Sequence, residues 1–393
     1  MEQTLTAKLK ILPDLSDAQL LIDTMHAYSA ACDLVSDYVY KFHDLNINSL
    51  NRELYHLIRQ RFGLRSQMAQ SVLRTVVARY KTILTNQNHW IKPKFRRPQL
   101  DLVWNRDYSL NRDRTLFSVN TLQGRIKVPF HAEGVDIDGR FGTAKLVCRH
   151  GKFFLHVPVT LETEDPPAWS ADTEVVGIDR GIRFLTVSYD GKKTSFASGK
   201  SVKQKRAHYK KLRQDLQKKR TPSSRRRLKA IGQREHRWMN DVDHCLSKAL
   251  ALGHPQGTLF VLEDLTGIRS ATERVRTKDR YVSVSWPYYD LEQKLRYKAM
   301  RNRSTVIAAD PAFTSQTCPV CGHRDKKNRR HEKHQFCCKS CGYTSNDDRI
   351  AAMNLQRMGK EYLLKTLVPE NGTAPVEHAS PGRHKLANSF VSS

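Results

Sequence analysis

Four cysteines fall in two C-x-x-C knuckles, Cys318/Cys321 and Cys338/Cys341, with sixteen residues between them. Two thiolates two residues apart can face one side of a tetrahedral ion, and a second knuckle closes the other side. The spacing is that of a structural four-cysteine zinc ribbon. Cys337 is a spare, and Cys32, Cys148 and Cys245 are scattered. This is metal usage in a reducing compartment, not a disulfide framework. His323, His331 and His334 lie inside the ribbon. With four cysteines to hold the ion, they read as surface or nucleic-acid contacts. Past the last cysteine stands an acidic pair, Asp347 and Asp348, at the head of a segment with apolar Ile350, Ala351, Leu355 and Met358. That segment reads as a helix whose start carries a carboxylate.

Two more acids end short apolar strands: Asp179 in EVVGID and Glu263 in TLFVLE. Asp264 could stand in for Glu263, and Asp347 for Asp348, although Asp348 is the preferred member of its pair. Asp310, before Pro311, reads as a strand-end turn. Three carboxylates brought together cannot all ionise cheaply without cations. Two Mg²⁺ ions about 3.5–4 Å apart would relieve the repulsion and carry out phosphodiester hydrolysis, one activating water and the other stabilising the leaving oxygen. Mn²⁺ is expected to substitute.

The elements that must position these residues are legible as patterns. Glu174–Ser198 reads as three strands with a turn at Asp190-Gly191. Helices follow, then the strand TLFVLE, a helix over Asp290–Met300, the strand TVIAA, and the helix after the ribbon. The order β-β-β, α, β, α, β, α is that of an RNase H-like fold, in which the first and fourth strands are neighbours. Upstream, residues 3–12 alternate as a strand. Ser16 with Gln19 reads as a capping-box start for a helix carrying Leu21, Met25, Tyr28, Cys32, Val35 and Val39. Two more helices are expected over about 49–62 and 66–84. From Trp90 to Leu161 the period becomes two, giving an all-β module of about six strands. These include IKPKFRRPQLDLVW and a hairpin turning at His150-Gly151. The early strand is expected to join that module, and residues 162–168 read as a linker.

The net charge is +28, from 67 Lys+Arg against 39 Asp+Glu in 393 residues. A field of this size suits a polyanion. No apolar run approaches the ~20 residues of a spanning helix, and the N-terminus lacks a signal-peptide core. The expected partner is therefore nucleic acid in the cytoplasm, in association with a nucleoid. Between Lys200 and Arg237 there are sixteen Lys/Arg and two acids. Lys203, Lys205, Arg206, Lys210, Lys211, Arg213, Lys218, Lys219, Arg225, Arg226 and Arg227 are the candidate phosphate contacts.

The segments GIDRG, VLEDL, SWPYYDLEQKLRYKA, DPAFTSQTCPVCG, CKSCGY and NDDRIAAMNL resemble the TnpB (OrfB-type) proteins of insertion sequences, relatives of type V CRISPR effectors. The resemblance covers residues 170–360 strongly and the β-module more loosely. It implies an RNA-guided DNA endonuclease whose guide is a structured RNA from the element's own end. It further implies cutting of double-stranded DNA beside a short target-adjacent motif at a single RuvC site. An element-encoded transposase is a possible further partner. The implied fold is multidomain α+β, in five parts: a barrel-like wedge β-module at 1–15 plus 90–168, a helical recognition domain at 16–89, a RuvC-like nuclease domain at 169–313 plus 346–368, a zinc ribbon at 314–345, and a disordered tail at 369–393. The family's catalytic and Mg²⁺-binding triad falls on Asp179, Glu263 and Asp348. The family's Asn two residues after the last Asp is here Ile350. Rival readings are a nuclease-inactive RNA-guided repressor, an RNA-independent resolvase-like nuclease and a strand-joining transposase. All three acids stand, against the first. The large N-terminal half and the basic run argue against the second.

Overall fold

The computed structural model describes residues 1–87, 89–111, 113–132, 137–265, 288–367 and 385–386. The chain divides into two compact units, Met1–Glu162 and Thr163–Ser393. No described helix is long and apolar enough to cross a membrane.

In the first unit, β1 (Glu2–Ile11) is followed by α1 (Leu15–Phe42), α2 (Ile47–Phe62) and α3 (Ser66–Gln87). Then come β2 (Gln99–Leu102), β3 (Tyr108–Leu110), β4 (Leu116–Thr121), β5 (Gly124–His131), β6 (Arg140–Phe141), β7 (Ala144–Arg149) and β8 (Lys152–Glu162). They form one sheet in the order β2-β7-β8-β1-β5-β4-β3, with β6 also on β8, rolled into a nearly closed barrel. β1 joins it by pairing antiparallel with β8 from Glu2↔Glu162 to Ile11↔Phe153. The β7–β8 hairpin turns at His150 and Gly151, both at positive φ (54° and 72°), as a two-residue turn of this hand requires.

Two local expectations change. The cap of α1 is Asp14, whose carboxylate accepts from Asp17 N at 2.8 Å, while Ser16 Oγ donates to Asp14. A charged acceptor one residue after Pro13 takes the role expected of Ser16. Residues 91–98 are not strand, because Pro93 and Pro98 withhold ladder donors. Phe95 N–H goes to Asp33 at 2.9 Å, and Ser36 donates to the Pro93 carbonyl at 3.0 Å. Helices and sheet share one core, in which Leu9, Tyr28, Val72, Tyr80, Leu100, Phe117 and Leu155 are fully buried. A polar chain ties them as well: Tyr28 Oη to Thr75 Oγ1 (2.8 Å), Thr75 to Asp101 (2.6 Å), Asp101 to Lys145 (2.8 Å).

The second unit begins with β9 (Val175–Asp179), β10 (Phe184–Tyr189) and β11 (Thr194–Ser198), then α4 (Lys200–Lys219), α5 (Pro222–Leu252) and β12 (Leu259–Glu263). It continues with α6 (Tyr288–Arg301), β13 (Thr305–Ala309), and the short β14 (Arg329–Arg330), β15 (Gln335–Cys337) and β16 (Thr344–Asn346). It ends with α7 (Asp347–Leu367) and β17 (Lys385–Leu386). The main sheet runs β11-β10-β9-β12-β13-β17. β9, β12 and β13 are parallel, and β10 and β11 antiparallel. The three parallel strands read as unbroken apolar runs because both faces are covered. Val176, Ile178, Phe260 and Leu262 pack with Leu250, Ala251, Leu295 and Ala299 of α5 and α6. Val175, Val261 and Ile307 pack with Leu355 and Met358 of α7. A Cβ at Gly177 would collide with the Ala352 carbonyl and the Gln356 amide, so glycine there lets α7 lie directly on β9.

The tail expected to be disordered over 369–393 lies outside the described residues apart from Lys385 and Leu386, which pair in parallel with Ala308 and Ala309.

Candidate active site

Asp179 ends β9 and Glu263 ends β12, one step beyond the parallel rung Ile178↔Leu262. Parallel pairing therefore sets both carboxylates at the same sheet edge, the carboxyl end where α/β sites form. Asp348 enters in the first turn of α7. Asn346 Oδ1 caps that helix, accepting from Asp348 N and Arg349 N at 3.1 Å each. All three acids line one open cleft of ≈ 700 Å³, with Arg180, Arg183, Thr314, Arg329, His334 and Asp347. Burial, then the charges of Glu263 and Asp348, holds the Asp179 carboxyl well above the usual range. Burial raises Glu263 too, against the Thr314 hydrogen bond and the Arg180 and Arg329 guanidinium groups. Asp348 is raised by burial and by Asp347. Carboxylates that repel one another in one cleft are donors of the type a divalent cation takes.

The surrounding residues fix these acids. Thr314 Oγ1 donates to Glu263 Oε1 at 2.7 Å. Asn354 on α7 donates to the carbonyls of Thr314 (2.7 Å) and Thr317 (2.8 Å), bolting that loop to the helix. Buried Arg180 donates to the Glu263 carbonyl and to Glu292 of α6 (3.1 Å). Asp347 is fully buried and accepts from Arg329 Nε at 2.9 Å, while Arg329 Nη1 reaches Ser315 at 3.0 Å. Asp310 Oδ1 accepts from Ala312 N (2.9 Å), an Asx turn.

Sequence reasoning missed Arg180, Thr314 and Arg329 and read His334 as a surface or nucleic-acid contact. Arg180 and Thr314 stood inside the motifs GIDRG and DPAFTSQTC, which could have marked them. Arg329 and His334 carried no signal, since only the ribbon's fold brings them to the cleft.

The four thiols Cys318, Cys321, Cys338 and Cys341 come within 4.8 Å of one another. The Sγ atoms of Cys318 and Cys341 are 3.6 Å apart, and those of Cys321 and Cys338 3.5 Å. Zn–S bonds of about 2.3 Å in a tetrahedron require sulfurs roughly 3.8 Å apart, so the set fits zinc. Both knuckles share one geometry. Gly322 N donates to Cys318 O (3.0 Å) and Gly342 N to Cys338 O (3.1 Å), with both glycines near φ +75°. Burial opposes ionisation of Cys338, but the N–H groups of Cys341 and Ser340 and the Cys321 thiol bring its pKa down to about 6. Buried Phe336 and Ile350, flanked by Tyr343 and Met353, join the ribbon to α7.

The basic run forms α4 and the first half of α5. Lys203, Lys205, Lys211, Lys218, Lys219, Arg225, Arg226 and Arg227 are exposed. Arg206, by contrast, is buried and pairs with Glu235 at 3.7 Å, and Arg213 pairs with the same carboxylate. Those two clasp α4 to α5 and do not belong with the outward-facing cations. Lys210 is half-buried.

Two family profiles match the chain: "Probable transposase" over residues 156–257 and "Cas12f1-like, TNB domain" over residues 288–355. These profiles, with relatives named as TnpB-like, agree with the resemblance to the TnpB (OrfB-type) proteins. It is 29% identical over 230 residues to the Escherichia coli protein named "Putative RNA-guided DNA endonuclease InsQ", covering 54% of this chain and 55% of that one. It is 28% identical over 193 residues to a TnpB-like protein of Methanocaldococcus jannaschii, covering 47% of this chain and 67% of that one. It is 43% identical over 94 residues to the CRISPR-associated endodeoxyribonuclease Cas12f1 of Sulfoacidibacillus thermotolerans, covering 24% of this chain and 20% of that one. The matches thus span about half or less of the length of InsQ and Cas12f1. In fold, the chain is similar to the mini-RNA-guided endonuclease CRISPR-Cas_phi3, with a TM-score of 0.51 at 10% identity over 91% of this chain and 92% of that one.

Proposed function

We propose that the chain is an RNA-guided DNA endonuclease of an insertion sequence. It cuts double-stranded DNA complementary to its guide, beside a short target-adjacent motif, at a single RuvC-type site. The observation that carries this reading is the meeting of Asp179, Glu263 and Asp348, from three separate elements, in one cleft of an α/β sheet. The sheet order supports an RNase H-like assignment. The names of InsQ and Cas12f1 support nuclease activity, and InsQ's name a guide.

Asp179, Glu263 and Asp348 would hold Mg²⁺ or Mn²⁺, which supplies water activation and charge stabilisation at the scissile phosphate. Asp348 fits this role better than Asp347, whose carboxylate is buried against Arg329. Thr314 orients Glu263, and Arg180 fixes the strand ends that carry Asp179 and Glu263. Arg183, on the cleft wall, is placed to meet a phosphate. Cys318, Cys321, Cys338 and Cys341 hold a structural zinc that keeps the ribbon folded against α7. The exposed cations of α4 and α5 track the backbone of a guide–target duplex, and pairing supplies the sequence choice. The first unit holds the guide scaffold and reads the target-adjacent motif.

Sequencing the RNA that co-purifies, with a Mg²⁺-dependent plasmid assay, tests the reading. A discrete structured RNA with a variable end, and cutting only at its complement, is expected. Cutting of branched DNA without RNA would replace this reading with the resolvase one, and guided binding without cutting with the repressor.

A further inference from the structure

We propose that His334 is a nitrogen donor to the cleft's cation alongside Asp348, oriented by Asp347, and that the site thereby favours Mn²⁺ over Mg²⁺. The proposal rests on the reading of the cleft as a metal site, and its test does not depend on cleavage.

The ligand atoms of His334, Asp347 and Asp348 lie within 4.8 Å of one another. His334 is fixed there by its main chain. Its carbonyl accepts from Asn346 Nδ2 at 3.3 Å and from Asp347 N at 3.5 Å, which ties the residue before β15 to the start of α7. Its backbone sits in the left-handed region, at φ 48°. The imidazole Nδ1 faces Asp347 Oδ1 at 3.8 Å. Asp347 is itself fully buried, and its other oxygen is taken by Arg329 at 2.9 Å, so it cannot turn to a cation. At 3.8 Å the contact with His334 is electrostatic and not a hydrogen bond, since Asp347 Oδ1 accepts from Asp348 N at 3.1 Å. A carboxylate on that side of the ring nonetheless favours Nδ1 as the protonated nitrogen, as carboxylates do behind metal-bound imidazoles, and leaves the other nitrogen for the ion. Here the remaining nitrogen is Nε2. His334 is 41% exposed at the side chain, open to an incoming ion, and lines the same cleft as Asp179 and Glu263. Mg²⁺ prefers oxygen donors throughout, whereas imidazole suits transition metals, so one nitrogen tilts the site toward Mn²⁺.

The test uses the full chain, loaded with zinc so that the ribbon is occupied, and given one equivalent of Mn²⁺. Pulsed electron paramagnetic resonance should show ¹⁴N modulation on the manganese. His334→Asn should remove it and weaken Mn²⁺ binding by about 10-fold or more, with zinc content and melting temperature held. Asparagine tolerates the left-handed backbone, so this variant separates the imidazole from the turn. Asp347→Asn should reduce the coupling without removing a ligand of the cation. No nitrogen coupling in the natural protein, or equal coupling in His334→Asn, would overturn the proposal. Coupling in a protein that never cuts guided DNA would uphold His334 as a ligand while removing the nuclease reading. Cutting without coupling would do the reverse.

Discussion

The cysteine site lies wholly within residues 318–341, whereas the carboxylate cleft draws Asp179, Glu263 and Asp348 from three distant parts of the chain. Each knuckle makes its own turn, with a positive-φ glycine and one backbone hydrogen bond, and already presents two sulfurs to an ion. The carboxylates have no such local geometry. They depend on parallel register between β9 and β12, on Gly177 admitting α7, and on Asn346 capping it. One site can therefore assemble before the domain does, and the other only with it. The two meet through Phe336, Ile350 and Arg329, so the local site supports the distributed one.

The largest expected break is on the distributed side. Asp179→Ala should abolish cutting, by roughly 10³-fold or more if a cation site worth several kcal/mol is lost, while guided DNA binding persists. Loss of binding in a gel-shift assay would count against a purely catalytic role. On the local side, Cys338→Ser or zinc chelation should lower the melting temperature of the second unit and, on the proposed reading, cleavage with it. An unchanged melting curve would contradict a structural zinc. Gly177→Ala should destabilise by about 3 kcal/mol, at the upper end of overpacking, because the collision is with backbone and not with a movable side chain. Denaturant unfolding would measure this, and the zinc content of the variant should stay normal if the ribbon folds by itself. Thr314→Val should raise the Mg²⁺ concentration needed for half-maximal cutting by roughly 10-fold, through the lost hydrogen bond to Glu263.

The smallest effect is in pH. The cleft carboxyls are raised in the cation-free fold, so the folded state binds more protons than the unfolded one above the ordinary carboxylate range of about 4. Stability of the cation-free protein should then fall as pH rises from that value toward the raised ones. Mg²⁺ should accordingly raise the melting temperature more at pH 8 than at pH 5. Equal shifts at both would mean the carboxyls do not repel in solution.

Much of this was legible in the letters. Cysteine spacing gives a tetrahedral site directly, because two residues between thiols fix their reach. Apolar runs ending in Asp179 and Glu263 mark doubly covered parallel strands, because a strand buried on both faces has no polar side. The sixteen cations between Lys200 and Arg237 mark a strongly basic and largely exposed stretch. The letters could not separate Arg206 and Arg213 from their neighbours, since their turn toward Glu235 depends on α4 folding back on α5. Nor could they separate the surroundings of Asp347 and Asp348: adjacent helical residues point about 100° apart, and only the fold sets Asp347, buried, against Arg329. The sequence by itself determined the chemistry available, thiolates at a fixed spacing and acids at strand ends. The tertiary structure decided which side chains share a space, because register, helix rotation and the fold of the ribbon act across distances that no local pattern spans.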